Sequence, residues 1–186
     1  MMAGVHIHDA LLFAVLIKVA QCGQSDSRVK KSEDITQFYS LEATIRTLLT
    51  TMGQSACKVD EVRRRGGKYT EFSRNFLSQP PKQSRYLKGT FNNILYGLGD
   101  VPFDGMDIVD TKGSKMDYPY EQLVFTSDGG DCGVFFVGGW GRRGNNYELR
   151  SKAGYNGQIN TQCFEKFERQ RKGAGQRTYH TCKYTS

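Results

Sequence analysis

Apolar and polar residues alternate with a period of two along much of this chain, which is the pattern of half-buried β-strands. The first alternating stretch is 38–49, and it is flanked by further threonines, which favour extended backbone. Its alternating apolar positions are Tyr39, Leu41, Ala43 and Ile45. We interpret the stretch as a long first strand, with a helix as the alternative.

Short alternating stretches recur after it, separated by turn signals at a spacing of roughly 8–12 residues. Arg63–Lys68, Pro80-Pro81 and Lys112-Gly113-Ser114 are the clearest of these turns. The predicted strands are 56–62, 69–76, 85–96, 104–111, 116–125, 131–137 and 147–150. This series predicts an antiparallel meander of about eight strands.

One amphipathic helix is predicted near the end of the chain. Asn160 or Thr161 can cap it, and Gly173 ends it after a basic last turn. Its inner face consists of Ile159, Cys163, Phe164 and Phe167. A last extended piece, 177–184, follows. Eight strands with one late helix indicate an up-and-down barrel, which has room for filling side chains or one small molecule.

The N-terminus has the pattern of a secretory signal peptide. Residues 10–17 are apolar, and Ala20 and Cys22 put small residues where a signal peptidase cleaves. The run is shorter than the ~20 residues of a membrane span. We therefore predict a signal peptide at 1–22 and a secreted domain at 23–186, with no membrane span. The alternative is an amphipathic helix of the mature protein.

Cysteine usage agrees with export. Removing 1–22 takes away one of five cysteines and leaves an even set, which in a secreted chain indicates two disulfides. The four are Cys57, Cys132, Cys163 and Cys182. They allow three pairings, and the spacing does not choose among them; a free thiol is the alternative for any single cysteine. No spacing suggests zinc, so neither a metal nor a cofactor is expected.

Candidate catalytic groups are too few for an enzyme. The predicted mature domain has a single histidine, His180, and its cysteines are assigned to disulfides, so no Ser-His-Asp or Cys-His set can be assembled. The formal net charge of +7 suits an acidic partner as well as simple solubility. Arg63–Arg65 with Lys68, and Arg142-Arg143 beside Trp140, could contact a partner protein or a polyanion, or be solvated turns. No nucleic-acid motif is present.

Taken together, the spacing of several short motifs resembles the tick salivary lipocalins, the group that includes the histamine-binding proteins. The resemblance covers nearly the whole predicted mature chain, although the usual Gly-x-Trp of lipocalins is missing. It is carried by Cys57, Asp131-Cys132, Tyr147-Glu148-Leu149, Cys163–Phe167 and Cys182. It implies a mainly β, eight-stranded antiparallel lipocalin barrel with the helix packed on its wall. It also implies the pairs Cys57–Cys182 and Cys132–Cys163.

The amine-holding positions of the histamine binders are only partly kept. Tyr120 and Glu148 match an aromatic and an acid of that cavity. Ile45 replaces an aromatic residue, Gln122 replaces an acid, and Arg150 replaces a tryptophan. A cation requires carboxylates and an aromatic wall, so scavenging of histamine or serotonin remains only the alternative function.

Strand alternation instead predicts a mostly apolar cavity with a few polar groups, as is typical of small-molecule sites. We predict a sterol, fatty acid or eicosanoid as the ligand, with Arg150 holding a carboxylate or Glu148 and Gln122 bonding a hydroxyl. The alternative is a filled core in which Glu148 and Arg150 pair. The predicted lining is Leu41, Ala43, Ile45, Phe91, Tyr118, Tyr120, Gln122, Val124, Val134, Phe136, Glu148 and Arg150.

Within the resembling group, the japanin-like members bind cholesterol and reprogramme host dendritic cells, and the apolar cavity favours that subgroup. Other members bind leukotrienes or inhibit complement. The resemblance therefore implies a monomer, secreted in saliva, that carries a small hydrophobic ligand and acts on a host immune-cell target. It implies no nucleic-acid partner.

Overall fold

The computed structural model describes residues 33–77, 84–93, 102–139, 145–152 and 158–184. The predicted signal peptide lies outside these ranges. So do residues 94–96 of a predicted strand and the predicted surface residues Trp140, Arg142 and Arg143.

Eight antiparallel strands form a closed barrel. Each strand pairs with the next along the chain, and β1 pairs with both β2 and β8, which closes the sheet. The predicted eight-stranded antiparallel barrel is confirmed. The strands are β1 (Thr44–Thr50), β2 (Lys58–Arg65), β3 (Tyr69–Phe76), β4 (Ser84–Asn92), β5 (Gly105–Asp110), β6 (Tyr120–Thr126), β7 (Cys132–Gly138) and β8 (Asn146–Lys152). A short 3-10 turn, Gln54–Ala56, precedes β2.

The chain enters the barrel through a helical turn rather than through a long first strand. Helix α1 spans Ile35–Phe38, and the Asp34 side chain accepts a hydrogen bond from the Thr36 amide, which favours a helix start. The strand begins only at Thr44, after a turn in which Glu42 has φ 62°. Leu41 lies in that turn with 58% of its surface exposed, so its predicted inward position is wrong.

Rings carried by α1 and the residue after it fill one end of the barrel. Phe38 and Tyr39 pack against Phe135, and Tyr39 also packs against Phe72. The backbone amide of Ile35 donates to the Phe103 carbonyl at 2.8 Å, which fixes α1 to the segment before β5. This end of the barrel is therefore filled.

The C-terminal helix, α2 (Thr161–Gly173), packs on the outer wall as predicted. The Asn160 side chain caps it by accepting from the amides of Gln162 and Cys163. Buried Cys163 and Phe167 lie in one apolar cluster with Val134 and Leu149. Cys163 is also bonded to Cys132 of β7, so α2 is attached to the wall covalently.

The helix explains why the predicted faces of β6 and β7 are inverted. Val124, Val134 and Phe136 were predicted to line the interior, but they belong to the cluster under α2. The inward residues are Leu123 and Phe135. Because α2 covers the outer face of β7, both faces of that strand are apolar, and alternation alone cannot distinguish them. In β6 the inward face also carries a charged residue, Glu121, which the alternation pattern assigns to solvent.

The chain ends on the barrel. A two-residue strand, β9 (His180–Thr181), pairs with β1, and Cys182 is bonded to Cys57 just before β2. Both disulfides are those implied by the resemblance. Within the described ranges, no helix combines the length and apolar character needed to cross a bilayer.

The two disulfides should differ in what they contribute. Cys57–Cys182 spans 125 residues and Cys132–Cys163 spans 31. On the chain-entropy model, replacing the first pair with alanine lowers the free energy of unfolding by roughly 5 kcal/mol and replacing the second by roughly 4 kcal/mol. Urea unfolding of the two double variants measures both losses. A clearly larger loss for Cys132–Cys163 would mean that attachment of α2, and not loop closure, dominates.

Candidate functional site

Six charged side chains are buried in the barrel interior, three of each sign. Four strands contribute them. Lys58 and Asp60 lie on β2, Arg74 on β3, Glu121 on β6, and Glu148 and Arg150 on β8, each with at most 4% of its surface exposed. We call this set the charge network.

The network is an unbroken series of ion pairs. Arg74 makes two bonds to Asp60, of 2.8 and 2.7 Å, and donates from Nη2 to Glu121 Oε1 at 2.9 Å. Arg150 donates from Nη1 to Glu121 and from Nε to Glu148, at 2.5 and 2.7 Å. The series ends at the Lys58 ammonium, 2.5 Å from Glu148 Oε1. Opposite charges alternate throughout, so the network is neutral as a whole.

The phenol of Tyr39 bridges Asp60 and Arg150 within the network. The Tyr39 hydroxyl donates to Asp60 Oδ2 at 2.9 Å and accepts from Arg150 Nη1 at 2.7 Å. Burial raises the pKa of this phenol well above its usual value, although Arg150 opposes the shift. Tyr39 therefore stays protonated and serves as a bridge.

The electrostatics of the network depend on mutual neutralisation. Burial alone would raise the pKa of Glu121, but Arg150 and Arg74 together lower it far below its usual value. Burying single ions is costly, and removing one partner leaves the others uncompensated. The network thus holds the interior in one arrangement as long as all six members are present.

Beside the network lies a cavity of about 260 Å³. Its lining includes Met52 and Ala56 after β1, Phe76 at the end of β3, and Tyr118 before β6. These residues belong to the end of the barrel opposite α1, and we call the space the mouth cavity. Its volume is near the lower limit of ligand pockets, roughly 300–1,000 Å³, which suits a compact ligand or the polar end of a longer one.

Cations dominate the charged lining of the mouth cavity. Lys58 and Arg74 of the network line it, together with Arg85 at the start of β4. One carboxylate, that of the exposed Asp117, is also there. Burial lowers the pKa of Lys58 to about 8, although the adjacent Glu148 acts in the opposite direction. At neutral pH the cavity therefore presents positive charge.

Some of these donors have no acceptor in the part of the chain that the structure describes. Glu148 is the one acceptor for the Lys58 ammonium, which carries three N–H groups. Nη1 of Arg74 donates to none of the described residues, and within the same ranges the Arg85 guanidinium donates only to the Met116 sulfur, at 3.7 Å. The site can thus donate several hydrogen bonds to a ligand oxygen.

The predicted ligand residues are distributed over several environments. Glu148 and Arg150 lie inside but pair with each other, and Tyr118 lines the mouth cavity. Ala43, Ile45 and Phe91 belong to the filled apolar core. Gln122 donates to Asp104 at 2.9 Å, and the Tyr120 ring packs near Phe136. Leu41, Val124, Val134 and Phe136 lie outside, as described above.

Sequence reasoning did not single out Lys58, Asp60, Arg74 or Glu121. Alternation assigns charged residues to the solvent face, and Lys58 and Asp60 alternate with apolar Val59. The one available signal was position. Lys58 immediately follows the disulfide-bonded Cys57, at the start of β2.

Several solved structures share this architecture. The protein AM182, in its complex with serotonin, superposes with a TM-score of 0.56 at 22% identity, covering 82% of this chain and 91% of that one. The siderocalin Ex-FABP gives a TM-score of 0.54 at 9% identity, covering 80% and 92%. Both are lipocalins. The fold is that of a lipocalin.

Japanin from Rhipicephalus appendiculatus, bound to cholesterol, resembles this lipocalin-fold chain less, with a TM-score of 0.47 at 10% identity and coverage of 68% and 85%. No protein-family model matches the sequence, and no curated protein sequence matches it. At these identities the similarity establishes the fold alone.

Removing one charge from the network should destabilise this lipocalin barrel strongly. Glu121→Gln leaves Arg74 and Arg150 undercompensated and should lower the free energy of unfolding by roughly 3–5 kcal/mol. Pairing lowers the pKa of Glu121 in the folded protein below the usual value of 4.5. Its contribution to stability is therefore complete at pH values above 4.5 and is lost as the pH falls below that value.

Denaturant unfolding between neutral and acidic pH tests both statements. The exposed Glu165→Gln is the matched control and should keep the stability and acid sensitivity of the parent protein. The variant Glu121→Gln should be less stable at neutral pH and lose less on acidification. If the two variants had equal stability and equal acid sensitivity, Glu121 would not stabilise the barrel through the charge network.

Proposed function

We propose that this protein is a secreted carrier, not an enzyme, that binds a small amphipathic molecule with an anionic end in the mouth cavity. A fatty acid or an eicosanoid has that chemistry. The observation that carries the proposal is the convergence of Lys58, Arg74 and Arg85 on one partly apolar cavity. Ammonium and guanidinium groups bind a carboxylate through short, charge-assisted hydrogen bonds.

The apolar part of the ligand would contact the rest of the lining. Met52, Phe76, Met116 and Val137 surround the same space. Flexible methionines adapt to ligands of different shape, which suits a carrier of several related lipids. The carboxylate would lie toward the charge network and the hydrocarbon chain toward the mouth.

A sterol fits this site less well than an acid. Its single hydroxyl could accept from Lys58 or Arg74, but a neutral hydroxyl accepts a weaker hydrogen bond from these cations than a carboxylate does. The sequence pattern favoured a sterol because it assigned Val124, Val134 and Phe136 to the cavity. Their position under α2 removes much of that apolar wall.

A biogenic amine is disfavoured on charge. Each carboxylate of the charge network, Asp60, Glu121 and Glu148, already bonds at least one arginine or lysine. An ammonium ligand would have to displace one of these cations. Serotonin is bound by AM182, and here the cations of the mouth cavity would repel it.

Secretion, a salivary source and an effect on host immune cells are proposals that rest on the resemblance to the tick salivary lipocalins. Two disulfides support passage through an oxidising compartment. A monomer is the expected state. Which host pathway is affected would depend on the molecule carried.

Titration calorimetry with oleic acid, methyl oleate, cholesterol and serotonin tests the proposal. Oleic acid should bind most tightly, and Arg85→Gln should weaken it roughly tenfold, because one charge-assisted bond is lost while the charge network stays intact. Arg169→Gln on exposed α2 is the control and should change nothing. Equal affinity for the acid and its methyl ester would contradict an anion site.

Acid binding should also depend on pH through Lys58. Its pKa is about 8, so affinity for oleic acid should fall as the pH rises between about 7 and 9, because the ammonium loses its proton. Lys58→Arg keeps the charge and should remove this dependence. If the affinity of Lys58→Arg still fell over this pH range, the pH dependence would belong to another group. The charged groups that act on the Lys58 ammonium are Glu148, Arg150, Arg74 and Glu121.

A further inference from the structure

A β-bulge turns two consecutive arginines toward the solvent. The β2–β3 register shifts between Val62, which pairs with Phe72, and Arg64, which pairs with Glu71. Neighbouring residues of a regular strand face opposite sides, but the extra residue, Arg63, lets both arginines face outward. Their side chains are 62% and 77% exposed.

These arginines belong to a larger basic surface around the β2–β3 turn. We define the hairpin surface as the exposed cations of β2, the turn and the adjoining part of β4. Its members are Arg63, Arg64, Arg65, Lys68 and Lys88.

Two acids, Glu61 and Glu71, lie among these five cations and neutralise them only in part. Arg63 bonds Glu61 at 2.9 Å, whereas Arg64 is 3.8 Å from Glu71, beyond hydrogen-bond distance. Among the described residues, Arg65 has no carboxylate at ion-pair distance, and neither has Lys68. The hairpin surface therefore keeps a net positive charge and has guanidinium groups available for a ligand.

An aromatic ring organises one side of this surface. Lys88 Nζ lies 4.9 Å from the centroid of the Tyr69 ring. That ring packs over Gly66, where a Cβ would come within 2.3 Å of Tyr69 Cε1. Gly66 allows this close approach, so the Tyr69 ring lies directly on the turn with the lysine on its face.

We propose that the hairpin surface binds a linear sulfated polysaccharide. Guanidinium forks match the paired oxygens of a sulfate, and cations spaced along a hairpin match a chain with repeated sulfates. Two disulfides indicate an extracellular setting, where the abundant linear polyanions are sulfated glycans and not nucleic acids.

This function would be separate from the mouth cavity. The β2–β3 turn follows the C-terminal end of β2, whereas the mouth cavity includes Lys58 at its N-terminal end. A carrier held on glycans at one end would keep its mouth free to take up ligand.

The test compares two variants that lose the same charge. Arg63→Ser/Arg64→Ser removes the centre of the hairpin surface, and Arg169→Ser/Arg177→Ser removes two exposed arginines elsewhere. Binding to heparin fragments of one length is measured over a range of NaCl concentrations. Chondroitin sulfate and single-stranded DNA of similar charge are the competing probes. Urea unfolding reports whether each variant is folded, and oleic acid binding reports whether the mouth cavity is unchanged.

The hairpin variant should lose roughly tenfold or more in heparin affinity and have a shallower salt dependence, with oleic acid binding unchanged. The control variant should stay close to the parent. Equal losses in both variants would show attraction by net charge only and would overturn the proposal. So would DNA binding as tight as heparin binding. If the hairpin variant does not fold, Arg65→Ser/Lys68→Ser tests the same surface with the same expected outcomes.

Discussion

The pairing of Arg150 with Glu121 and Glu148 is the interaction on which the barrel interior depends. Arg150 is fully buried, so its charge is stabilised by carboxylates and not by water. Glu121 is shared with Arg74, which in turn holds Asp60. Strands β2, β3, β6 and β8 are thereby connected through the middle of the barrel and not only through the hydrogen bonds of its wall.

This connection decides what space remains for a ligand. On the α1 side the interior is filled by Phe38, Phe72 and Phe135 around Tyr39. On the other side two cations of the network, Lys58 and Arg74, line the mouth cavity. The network is neutral as a whole, but it still makes the cavity electrostatically positive, because its positive groups face the open space. The preference for an anionic ligand therefore follows from which charged groups of the internal ion-pair series are accessible from the cavity.

The sequence predicted the architecture well, because the barrel depends on signals that are local. Alternation predicted the strands, the Asn160 cap predicted α2, and the family resemblance implied both disulfides. The site was largely missed for a physical reason. Inward Lys58 and Asp60 are stabilised only by partners far along the chain, such as Glu148, and no local pattern reveals them. Val134 was assigned to the wrong face because α2 makes both faces of β7 apolar.

A crystal structure of the protein with bound oleic acid would show whether the mouth cavity is an anion site beside an intact charge network. We expect the carboxylate within hydrogen-bond distance of Lys58 or Arg74, the hydrocarbon chain among Met52, Met116 and Val137, and an unbroken charge network. A carboxylate bound elsewhere, or a ligand that enters past Tyr39 and separates Arg150 from Glu121, would contradict this expectation.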